Sequence, residues 1–250
     1  MAHHGVAARV VEVTGSTGGG AKSDLAGARR LLALAESLPP DVLLVRSYVP
    51  EPTAAFSAKE AAHPAFAEAV GLARAMGFEP VLRPAGGTVA LYGAESIVFD
   101  AVWAQPLPHG SSLGTYRHGG RLITDVLGEW GIDARVGSVP GEYCPGEHSV
   151  NARGEVKLVG VAQRVTSRAR LYSAVVAVES SAYLAVSLAD LYRLLGYPFD
   201  ELSSGSLRNE GAVASGPSVG RALVTAFGAG ESTMSLRAAE RGELLAAWSA

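Results

Sequence analysis

The sequence predicts an α/β (α+β) fold, with a mixed central sheet flanked by helices, in one catalytic-sized domain over residues 1–250. Three observations predict it. Apolar runs of strand length cluster in the middle of the chain, and segments with apolar residues at helical spacing lie between and after them. Hydrophobic residues make up 48% of the 250 and charged residues 18%, which suits one sizeable core. No internal repeat of about 20–50 residues divides the chain.

The elements follow in order. Residues 6–13, VAARVVEV, form a short apolar strand before the loop GSTGGGAKS. A helix starts at Ser23 or Asp24, with Ser23 as N-cap and Leu25, Ala28, Leu31, Leu32 and Ala35 on one face. Pro39 and Pro40 end it, and DVLLVRSYVP is a strand with a proline stop. HPAFAEAVGLARAMGF is a second amphipathic helix, with Pro64 near its start and Gly77 at its end. EPVLRPAGGTVALYG reads as strand, tight turn, strand, and ESIVFDAVWAQ continues that sheet. A third helix covers residues 116–130, and residues 135–139 form a strand leading to a polar turn around Cys144. HSVNARGEVKLVGVAQRV is a hairpin connected by residues 151–155, and RLYSAVVAVE is a buried strand. Another helix begins over residues 187–195, and two more, residues 216–227 and 235–248, close the chain.

Charge and composition exclude several classes. The net charge of −3 gives no electrostatic case for nucleic acid or for an anionic membrane surface. No apolar run approaches the ~18 residues of a membrane span, and the N-terminus has no secretory pattern. A single cysteine forms no internal disulfide, which fits a reducing, cytoplasmic setting. Of 21 basic residues only Lys22, Lys59 and Lys157 are lysines, so few residues are available for a lysine's chemistry.

Three segments invite a chemical reading. GSTGGGAKS resembles a phosphate-binding loop, but it is one residue too long to aim Lys22 and the helix start at one phosphate, so it reads as a plain loop. In LRPAGGTVALYG, the adjacent Gly86 and Gly87 let backbone N–H groups approach a ligand, and Arg83 suits a carboxylate or phosphate. An ordinary hairpin turn is the alternative there. In EYCPGEHSVNARGEVKLVGVAQRV, Cys144 lies in a turn rather than in a core run, and Lys157 begins a strand whose Gly160 and Ala162 leave room for a ligand. A thiol with its ordinary pKa of ~8.5 is mostly protonated at neutral pH, and a nearby ammonium lowers that value. The alternative is an inert turn cysteine and a solvated lysine.

Taken in order, SDLAGARRLL, LRPAGGTVALYG and KLVGVAQR resemble motifs of the lipoate-protein ligase and octanoyltransferase family, which shares its catalytic fold with biotin-protein ligases. The resemblance covers roughly residues 24–179. The segment YCPGEHSVNARGEVKLVGVAQR is most similar to the cysteine-dependent octanoyl amidotransferases. The resemblance implies Cys144 as acyl-carrying nucleophile and Lys157 beside it at the acyl carbonyl. It implies substrate contacts from Arg83, Gly86, Gly87, Gly160, Ala162 and Gln163, in a tunnel walled by Val, Leu and Ala. It implies no cofactor, with an acyl carrier protein or lipoyl-carrier protein as donor and a lipoyl domain as acceptor. An ATP-dependent lipoate or octanoate ligase working through an acyl-adenylate is an alternative on the same scaffold. A non-catalytic acyl-binding relative is another. Pro84 and Ala85 depart from the motif, where relatives often carry a basic or polar residue and a serine or glycine.

Overall fold

The computed structural model describes residues 9–14, 20–104, 112–180, 182–228 and 232–235. β1 (Arg9–Thr14) leads to α1 (Ala21–Ala35), then β2 (Val42–Tyr48) and β3 (Thr53–Phe56). The four-residue α2 (Ala58–Ala61) and α3 (Phe66–Ala75) precede β4 (Glu79–Leu82), β5 (Ala90–Tyr92) and β6 (Ser96–Trp103). Next come α4 (Ser112–Gly128), β7 (Ala134–Val136), β8 (Val150–Ala152), β9 (Val156–Val165) and β10 (Arg170–Ala177). α5 (Ala182–Leu194), α6 (Gly216–Ala226) and β11 (Ser232–Ser235) follow.

Two sheets result. The large one runs β11-β1-β2-β6-β10-β9-β8-β7, parallel at β11/β1/β2 and antiparallel from β2 onward. The small one is β4-β3-β5. The layers follow from strand alternation, which sends successive side chains to opposite faces. One face of the large sheet, including Val45, Phe99 and Tyr172, packs on Ile123 and Leu127 of α4, on Leu223 of α6 and on Phe227 at the C-terminal end of α6. The other face meets α1 through Leu44, Val102 and Leu171, and meets the small sheet through Tyr48 and Val98. α3 and α5 cover the far side of the small sheet. The mixed sheet flanked by helices is the predicted architecture.

Several details differ from the sequence reading, among them the starts of α4 and α5, four and five residues earlier than expected. β4 and β5 are not a hairpin: both pair with β3, parallel on one side and antiparallel on the other. β3 is TAAF, four buried residues with no alternation between apolar and polar, so nothing in its pattern marks a strand. β6 accordingly belongs to the large sheet, between β2 and β10, and does not extend the small one. α1 starts two residues before Ser23, after Gly20 at φ 77°, and Ser23 lies inside its first turn. At the C-terminal end residues 232–235 form a strand, and the remainder of the helix expected over 235–248 lies outside the described residues. Among the described residues no helix is long and apolar enough to cross a membrane.

Candidate active site

The cysteine loop is built from a buried carboxylate outward. Between β7 and β8, Glu142 accepts hydrogen bonds from the Val139 N–H (3.1 Å), the Gly146 N–H (2.9 Å) and the Ser149 hydroxyl (2.9 Å). Those bonds close the turn around Cys144, whose φ of 43° lies in the left-handed region. A non-glycine residue there is strained and persists only where its surroundings hold it. Here the Tyr192 hydroxyl accepts the Cys144 N–H at 2.7 Å, and Lys157 Nζ donates to the Tyr143 carbonyl at 2.8 Å and the Cys144 carbonyl at 3.0 Å. The Lys157 ammonium also pairs with Glu142 at 3.4 Å and lies over the Tyr143 ring. Both charges of that pair are buried, so each needs the other to offset its desolvation.

The sulfur faces the loop between β4 and β5. Arg83 Nη2 is 3.4 Å from Cys144 Sγ and donates to the Thr88 carbonyl at 2.8 Å; the Thr88 N–H points at the same sulfur from 3.3 Å. Thr88 is fixed in turn, with its hydroxyl 2.7 Å from that of Tyr192. Glu60, fully buried, accepts from the Ser57 and Val89 N–H groups and anchors both ends of this region. Gly87, at φ 100°, is required: a Cβ there would lie 2.5 Å from both Arg83 Nη2 and Cys144 Sγ. Gly86 is exposed, and a Cβ on it would meet nothing.

This arrangement decides the protonation of the thiol. Burial works against the thiolate, but the Arg83 charge and hydrogen bond oppose it, followed by the charge of Lys157 and the Thr88 N–H. The balance holds Cys144 below the ordinary thiol value. Lys157 is pushed down by burial, against the raising effects of Glu142 and Cys144.

Cys144 and Lys157 line one cleft between the large sheet, the small sheet and α1, with a volume of about 760 Å³ counting its open mouth. Arg83, Gly160 and Ala162 line it too. Gln163 does not. Alternation on β9 turns Gly160 and Ala162 toward the cleft and Gln163 toward Tyr172 on the opposite face, where its amide donates to the Ser112 carbonyl at 2.9 Å. Apolar wall comes from Ala90, Leu91, Val98, Leu171 and Val175, as expected for a greasy channel, but Asp100, Ser173, Tyr48 and Tyr92 also face it. The sequence reading missed those four, and it missed Glu142, Thr88 and Tyr192. Asp100 carried a signal, as a lone carboxylate inside the apolar strand SIVFDAVW. Thr88 and Tyr192 carried none, because each acts through a backbone or hydroxyl contact that only the fold creates. His148 is half-buried and stacks on Tyr116 at 4.1 Å between ring centroids. Lys22 of the glycine-rich segment pairs with Glu79 at 2.7 Å, and residues 15–19 lie outside the described residues.

No family model matches the sequence. Among curated proteins the chain is similar to the octanoyl-[GcvH]:protein N-octanoyltransferase of Geobacillus kaustophilus, 25% identical over 121 residues, covering 48% of this chain and 42% of that one. It is also similar to the protein of that name from Exiguobacterium sibiricum, 27% identical over 123 residues, covering 48% and 43%. The chain thus spans less than half the length of the curated relatives it matches. Among solved structures, lipoate-protein ligase A bound with ATP superposes with a TM-score of 0.70 at 19% identity, covering 95% of this chain and 94% of that one. The bipartite lipoate protein ligase of Thermoplasma acidophilum, studied with its E2 lipoyl domain, gives 0.65 at 18% identity, covering 95% and 91%. The chain therefore has the fold of the lipoate-protein ligases and, over about half its length, is similar in sequence to two octanoyltransferases.

Proposed function

We propose that the protein is an acyltransferase that carries a medium-chain acyl group, octanoyl in the first instance, on Cys144 and passes it to a lysine of a lipoyl-accepting protein. The observation that carries this reading is the sulfur itself: it sits in an apolar-walled cleft with the Arg83 guanidinium and the Thr88 N–H directed at it. An inert turn cysteine has no need of a guanidinium held against its sulfur.

In the first half-reaction the Cys144 thiolate attacks the carbonyl carbon of the donor. A new C–S bond forms, the donor's thiolate or amine leaves, and a proton from solvent completes the leaving group. In the second, the neutral amine of the acceptor lysine attacks the Cys144 thioester. The amide forms, the C–S bond breaks, the amine loses its proton to solvent, and Cys144 returns as the thiolate. The energy is already in the donor bond, so the reading consumes no nucleotide. The relatives' names point to a GcvH-type lipoyl carrier as donor, and a lipoyl domain is the matching acceptor; an acyl carrier protein would serve the same first step.

Three positions near the sulfur offer no free donor. The Cys144 N–H is bonded to Tyr192, Pro145 has no N–H, and Lys157 donates to two carbonyls of the turn and to Glu142. The Thr88 N–H and the Arg83 guanidinium point at the sulfur in the resting state and are released as the C–S bond forms, so they are the donors available to the developing oxyanion, where loss of one donor costs about 3 kcal/mol of barrier. Lys157 instead holds the turn in its strained shape. Each methylene buried in the cleft adds about 0.8 kcal/mol of binding.

The test is intact-mass spectrometry of the protein mixed with an octanoyl thioester. One octanoyl unit should appear, be released by hydroxylamine, and be absent from Cys144→Ala. Acylation of Cys144→Ala, or transfer that requires ATP and releases pyrophosphate, would overturn the reading.

A further inference from the structure

The floor of the cleft is not uniformly apolar, and strand register shows how its polarity is laid out. On the cleft face, Gly160, Val175, Val98 and Tyr48 form one row across β9, β10, β6 and β2. The next row, two residues along, is Ala162, Ser173, Asp100 and Arg46. It is polar at three of its four positions. Arg46 donates to Asp100 through Nε (3.2 Å) and Nη2 (2.6 Å), and Ser173 donates to the other Asp100 oxygen at 2.7 Å. The Tyr48 ring lies 4.3 Å from the Arg46 guanidinium carbon.

Much of the hydrogen-bonding capacity here is unused. Tyr48 is 7% and Tyr92 5% exposed, both line the cleft, and neither hydroxyl has a partner among the described residues. Arg46 Nη1 also has no partner among the described residues, but it is sealed from solvent and Arg46 does not line the cleft. A carboxylate oxygen has room for a second donor beyond the one it holds. Covering the cleft-facing hydroxyls and carboxylate oxygen with hydrocarbon leaves them unpaired, which costs binding.

Resting on the acyl-transfer reading, we infer that the cleft takes an acyl chain of about eight carbons whose far end carries a neutral hydrogen-bonding group, with a hydroxyl as the simplest case. The length follows from the sheet. Gly160 lies beside Lys157 Cε and the Tyr143 hydroxyl, at the reactive end. From there Asp100 is two strands across, at about 4.8 Å each, and two residues along, at about 3.4 Å each, a diagonal of roughly 12 Å. An extended eight-carbon chain spans roughly 9 Å at a C–C bond of ~1.5 Å, and a terminal hydroxyl then reaches the polar row. Neutrality follows from the buried charges: Arg46 is paired with Asp100, and Asp24, buried beside Arg46, is engaged in interactions of its own, so a charged terminus would enter without a free counter-ion.

The experiment compares binding of free octanoate and 8-hydroxyoctanoate to the full chain carrying Cys144→Ala, by titration calorimetry. The hydroxy acid should bind about tenfold tighter or better, since a site with polar groups to satisfy rejects the analogue that leaves them unpaired. Tyr48→Phe and Tyr92→Phe keep the rings in the wall and should move the affinity ratio toward one. Octanoate binding equally or more tightly would overturn the inference and leave the acyl-transfer reading standing. If neither acid binds, the acyl cleft and the inference fall together.

Discussion

Cys144 and Arg83 are 61 positions apart in the chain, yet the guanidinium is the largest influence favouring the thiolate. Lys157, the cation the sequence pairs with Cys144, ranks behind it. Two outcomes follow for the single side chains. In Arg83→Met the pH midpoint of iodoacetamide alkylation should rise toward the ordinary thiol value of about 8.5, where the wild-type midpoint lies below it. An unchanged midpoint would remove Arg83 from the thiol's electrostatics. Gly87→Ala should slow acylation of Cys144 at least tenfold, because its Cβ cannot coexist with the present positions of Sγ and Nη2 and the φ of 100° disfavours it further. Stopped-flow acylation kinetics read this directly, and a wild-type rate would show that the loop relaxes freely.

At the scale of elements, spacing within one segment was legible and pairing between distant segments was not. The β8–β9 hairpin was readable because its turn residues and its alternation lie in one stretch of sequence. The cysteine loop was readable only as a polar turn, since the carboxylate that closes it, Glu142, is satisfied by groups from Val139 to Lys157. β3 was invisible, and with it the pairing that joins β4 and β5 into the small sheet and carries Arg83 and Thr88 to the sulfur. Two glycines test the helix packing that supports this arrangement. Gly119 on α4 sits against Tyr172 of β10, and a Cβ there would lie 2.6 Å from the ring. Gly119→Ala should therefore destabilise the protein by about 1–3 kcal/mol. Gly71 on α3 faces open space, so Gly71→Ala should stabilise by about 0.5–1 kcal/mol through helix propensity. Urea unfolding of the two variants should give midpoint shifts of opposite sign. A shared sign would mean that helix packing here is set elsewhere.

Over the whole molecule the sulfur joins two sheets: Cys144 hangs from the large sheet, while Arg83 and Thr88 belong to the loop between two strands of the small one. A thiolate held between them makes folding stability depend on pH, and the sign can be worked out. The folded thiol titrates below the unfolded one, so between the two values the unfolded chain binds more protons than the native state. Stability from this group therefore rises with pH through that window, is complete above about 8.5, and is lost as pH falls through the folded value. Cys144→Ala lacks the group, so the difference in unfolding free energy between wild type and this variant isolates it. Under reducing conditions that difference should increase from pH 6 to pH 9 and then level off. The cavity left by the missing sulfur adds a constant that pH does not change. A difference that stays flat across the range would mean that the native thiol titrates as the unfolded one does, and that Arg83 sits beside it for packing alone.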